Sequence, residues 1–129
     1  MTSRAQITTG WVLSGLFAAF MLAASVAPKL LGMPVAAETL EGLGWPGSAA
    51  LAIGIMELTF TLLYLWRRTA VLGAVLMTGL LGGAMAAHFR VDSPLLSHSL
   101  FGIYLAMFMW GGLWLRTPAL RALFPLRAA

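Results

Sequence analysis

Glu57 stands eight positions into a run, Ala49 to Trp66, that carries no other charge. On a helix those positions amount to roughly 12 Å of rise, too deep for so short a side chain to reach water. A bare carboxylate at that depth is costly, so it must either take a proton or meet a cation. Either condition suits a group that donates or accepts protons.

Lys29 follows Pro28 at the close of the first apolar run, and His88, Arg90 and Asp92 close the third. All of these belong to the same half of the chain's membrane profile, so Lys29, Glu57, His88 and Arg90 could converge on one polar pocket. In that pocket Glu57 and His88 are the candidate catalytic groups, with Lys29 or Arg90 stabilising negative charge as it develops. Helical spacing puts Gly54, Glu57, Thr61 and Tyr64 on one face, and Ser14, Ala18, Ser25 and Lys29 on a face of the first run. Tyr104 shares an aromatic face with Phe101 and Phe108, either as packing or as the wall of a pocket for a flat ligand. Lys29, Arg90, Thr61 and Tyr104 are therefore the candidate ligand contacts. Each has a structural alternative: Glu57 as a clamp between helices, Lys29 and Arg90 as interfacial charges, His88 as a capping residue.

Metal chemistry finds little footing. His88, His98, Asp92 and Glu57 include no ligand pair on a recognised motif, so no metal or haem site is assigned. The absence of cysteine excludes thiolate ligands and disulfide relays.

The elements that must carry these residues are set by composition. Of 129 residues, 60% are hydrophobic and 9% charged, which places the chain outside the range of water-soluble domains. Four apolar segments, 11–29, 49–66, 70–88 and 99–115, are each near the length needed to cross a bilayer. Backbone polar groups must be satisfied internally there, and no alternating strand pattern exists, so the expected fold is an all-α integral membrane four-helix bundle in one domain. Arg4, Arg67, Arg68, Arg116, Arg121 and Arg127 fall on the side of the tails and the second loop, with no acid among them. That partition predicts cytoplasmic N and C termini in a multi-pass protein of the bacterial inner membrane. The basic residues are scattered between apolar runs, which argues against nucleic acid.

Between Pro34 and Gly44 the long first loop could form a short interfacial helix, with Glu38 and Glu41 toward water and Val35, Leu40 and Leu43 toward the membrane. Gly79 and Gly83 make a small-xxx-small spacing, which serves close packing inside the bundle or a homodimer face.

Several segments in order resemble the DoxX-like family of small four-helix membrane proteins. They are Lys29-Leu30, Gly44-Trp45-Pro46, Gly54-Ile55-Met56-Glu57-Leu58, Arg68-Thr69-Ala70-Val71-Leu72-Gly73-Ala74, Gly83-Ala84 with His88, and Leu113-Trp114-Leu115-Arg116. The resemblance implies a possible link to the quinone pool. The expectation is a polar intramembrane pocket that binds a small lipophilic molecule, with acid-base chemistry centred on Glu57. Two other readings stay open: a noncatalytic accessory subunit holding a partner oxidoreductase in the bilayer, and a small transporter built as a homo-oligomer.

Overall fold

A computed structural model describes residues 3–127. Among them every regular element is helical: α1 (Arg4–Leu30), α2 (Pro34–Gly42), α3 (Ala49–Leu65), α4 (Ala70–Arg90), α5 (Leu95–Arg116) and α6 (Pro118–Leu123). Helices α1, α4 and α5 are long and apolar enough to cross a membrane. Helix α3 is equally apolar, but its 17 residues rise only about 26 Å, short of the ~30 Å hydrocarbon core.

Helix α1 starts at Arg4, seven residues before the apolar segment, because a reciprocal cap nucleates it. Ser3 Oγ accepts the Gln6 N–H at 3.1 Å, and Gln6 Oε1 accepts the Ser3 N–H at 2.9 Å. Its outer part widens into a π-helical stretch, Met21–Val26, where the Ala27 N–H reaches back to Leu22 O. Pro28 supplies the reason: with no N–H and a ring that crowds the preceding turn, it prevents the regular ladder from closing. Helix α5 opens the same way after Pro94, over Leu95–Ser99.

The long helices form a ring in which α1 packs on α5 and α3, and α4 on α3 and α5. Phe17, Met21, Tyr64, Ala74, Met77, Met109 and Leu113 fill its centre. Close approach of α1 and α5 depends on a glycine pair: a Cβ on Gly112 would stand 2.7 Å from Gly10 O. Gly79 and Gly83 do not pack inside the bundle. They are exposed, with nothing within 4 Å of an added Cβ, because Gly73, Ala74, Met77 and Leu81 take the inward face of α4.

Helix α2 lies across the start of α3, with Ala36 and Leu40 buried against Ala50. Glu38 and Glu41 are exposed and Leu43 half-buried, while Val35 is exposed as well. At the opposite end α6 folds under α5, where Arg121 Nη1 donates to Trp114 O and Leu115 O at 2.8 Å each.

Candidate functional site

Gly54 is where the site begins. A Cβ there would lie 2.8 Å from Lys29 Cβ and 3.1 Å from Leu30 Cδ2, so only its bare backbone lets the end of α1 lie against α3. One turn further along α3, Glu57 faces Lys29. The Nζ···Oε1 distance is 2.9 Å, with the lysine side chain 17% exposed and the glutamate 9%.

Ser25 completes the cluster. Its hydroxyl donates to Glu57 Oε2 at 2.7 Å and accepts from Lys29 Nζ at 2.8 Å, while Nζ also reaches Ser25 O at 3.3 Å. Ser25 lies in the π-helical stretch, one turn before Lys29. Glu57 Oε1 is buried, and its approach to the ammonium lacks the alignment of a hydrogen bond. One carboxylate oxygen is thus paired by charge yet short of a donor, and such an atom is costly unless something else satisfies it.

The other predicted residues hold different partners. Thr61 Oγ1 donates to Glu57 O at 2.7 Å, bracing the backbone that carries the acid. His88 Nδ1 lies 2.9 Å from Ser93 Oγ, and its ring packs edge-on against His98 with centroids 5.8 Å apart. The Arg90 guanidinium donates to Leu43 O and covers Gly44, tying α4 to the loop after α2. Tyr104 Oη donates to Leu96 O at 2.7 Å on an exposed surface. Lys29 and Glu57 come together, then, while His88, Arg90 and Tyr104 are engaged elsewhere. Among the described residues no three histidines, cysteines or acids cluster in a way that could hold a metal ion.

The sequence reading missed a second polar cluster, at the opposite end of the bundle. Ser14 Oγ and Tyr64 Oη are 2.7 Å apart, and Tyr64 donates to Met109 O, so Ser14 is the donor to Tyr64. Arg116 Nε donates to Ser14 Oγ at 3.4 Å, with its guanidinium 3.8 Å above the Trp11 ring. The signal was present in the stripe positions of Ser14 and Tyr64, although no spacing rule links them to Arg116.

The sequence model of the DoxX-like family matches residues 12–112. The chain belongs to the DoxX-like family. No curated protein and no solved structure matches it. The matched region of this DoxX-like chain includes Ser25, Lys29 and Glu57 and stops short of Arg116. With its long apolar helices, this is a helical membrane protein in contact with the bilayer.

Proposed function

We propose that this DoxX-like protein uses Glu57, Lys29 and Ser25 to bind the polar head of a small lipophilic molecule and to exchange a proton with it. The supporting observation is the buried Glu57 Oε1, which faces an ammonium and lacks an aligned donor. A ligand hydroxyl would donate to the Glu57 carboxylate beside the Lys29 ammonium. Glu57 would take its proton, and the Lys29 ammonium would balance the charge left on the ligand oxygen. Ser25, bonded to both charged groups, fixes their relative orientation. A quinol-class head offers a hydroxyl of the required kind, whose proton Glu57 would accept with no change of oxidation state.

In this reading the protein crosses the bacterial inner membrane four times, with α3 spanning by local thinning of the bilayer. Both termini face the cytoplasm, as favoured by six basic residues and no acid on their side.

The test is Glu57→Gln, which keeps size and removes the titratable proton. The variant is expected to fold in detergent, since Lys29 lies near the end of α1 and its stem can lift the charge outward. It is also expected to lose any small lipophilic molecule that mass spectrometry finds co-purified with the wild type. Wild-type ligand occupancy in a well-folded Glu57→Gln protein sinks the assignment.

The outward Gly79–Gly83 face of α4 favours a second reading, an accessory subunit that holds another membrane protein there. Lys29 and Glu57 then serve as a clamp. Isolation of the intact membrane complex separates the two readings: a stoichiometric protein partner favours the subunit, and a retained small molecule favours the site.

A further inference from the structure

The end of the bundle that carries Arg4, Arg67, Arg68, Arg116, Arg121 and Arg127 has no Asp or Glu side chain, since Glu38, Glu41, Glu57 and Asp92 all lie elsewhere. Its cations are not equivalent. Arg116 is set over Trp11, and Arg121 is bonded to the carbonyls that close α5. Arg67 and Arg68, in the turn between α3 and α4, are exposed and make no hydrogen bond or ion pair among the described residues.

Beneath them the last turns of α3 form a ridge of Leu62 and Trp66, each more than half exposed. A groove runs along each flank. One, of about 950 Å³, continues over Leu65 and Arg67, and the other, of about 510 Å³, over Thr59 and Leu63. Leu62, Trp66 and Arg68 line both. Thr59, at the far end of the second groove, donates its hydroxyl to Ile55 O of its own helix at 2.8 Å.

We infer that this ridge seats an anionic phospholipid, one acyl chain in each groove and the headgroup phosphate on Arg68, with Arg67 beside it. Two open apolar concavities that share the Arg68 side chain match the shape and charge of a two-chain lipid with a single phosphate. A planar guanidinium suits that phosphate better than an ammonium would. Basic pockets at the ends of membrane helices are where headgroup recognition is expected. The inference is independent of the Glu57 site.

The experiment uses the purified full chain in detergent, with phosphatidylglycerol and phosphatidylcholine of identical acyl chains as probes. Native mass spectrometry counts retained lipid, and thermal unfolding reads stabilisation. The wild type is expected to retain and be stabilised by phosphatidylglycerol over phosphatidylcholine. Arg68→Gln should weaken that preference about fivefold, the effect of one cation near an anionic headgroup. Arg4→Gln, which removes a charge from the same end away from the grooves, should leave it intact. Equal retention of the two lipids overturns the inference, as does a preference that survives Arg68→Gln or falls equally with Arg4→Gln. Inorganic phosphate that reproduces the stabilisation would also overturn it, because the acyl grooves would then play no part.

Discussion

Replacing Lys29 by Met removes the ammonium 2.9 Å from Glu57 Oε1 while keeping most of the side chain's volume. Glu57 then retains only the Ser25 hydroxyl, and its 9% exposed carboxylate must stay charged in a low-dielectric interior or take up a proton. Breaking a dry buried pair from one side costs about 3 to 5 kcal/mol. Lys29 is 17% exposed, so the pair is not fully dry and the lower end, about 3 kcal/mol, is expected. Glu57→Leu should cost less, about 1 to 2 kcal/mol, because the stranded ammonium keeps its bond to Ser25 and can rise toward the headgroups. The double variant, Lys29→Met with Glu57→Leu, exchanges the whole pair for apolar groups and should return close to the wild type. The coupling expected from that cycle is about 4 to 5 kcal/mol, the sum of the two single losses. Circular dichroism across a titration of denaturing into mild detergent measures all four proteins. Single losses that simply add in the double variant, to within about 0.5 kcal/mol, would refute the reasoning.

Gly112→Ala sets a methyl 2.7 Å from Gly10 O and should destabilise by about 1 to 3 kcal/mol. Gly79→Ala meets nothing within 4 Å and should be neutral or stabilising by up to about 1 kcal/mol through helix propensity. The opposite order in thermal unfolding would remove α1 and α5 from contact at Gly10 and Gly112. For the orientation, alkaline phosphatase fused after Arg127 is expected to be inactive and the same enzyme inserted in the 43–47 loop active. Reversed activities would invert the topology.

Depth and sign were enough to single out Glu57 and Lys29 from sequence, because a carboxylate within an apolar helix has few ways to persist. Ser25 was visible on the same face as Lys29, but its place between the two charges depends on how α1 lies against α3 at Gly54, which spacing along one helix does not give. His88 and Arg90 were readable as residues of the same end. Their partners were not, since Ser93 is brought back to His88 by a turn in which Asp92 takes φ 55°, and Leu43 O is presented to Arg90 beside Gly44 at φ 86°. For Gly79 and Gly83 the spacing signals that a backbone can be approached closely. It does not say by what, and the answer depended on which face of α4 turned inward.

The two polar clusters divide the labour along α1. Near its start, Ser14 is bonded to Tyr64 and Arg116, which ties α1 to α3 and α5 together. Gly10 is in close contact with Gly112 just beyond. Near its end, Ser25 and Lys29 bond to Glu57 alone, past a stretch whose hydrogen bonds have already left the α-helical register. Phe17 and Met21 separate the clusters with buried apolar contacts. The start of α1 is therefore braced against two helices, and its end is held to α3 through the Lys29–Glu57 ion pair, the Ser25–Glu57 hydrogen bond and the Gly54 approach.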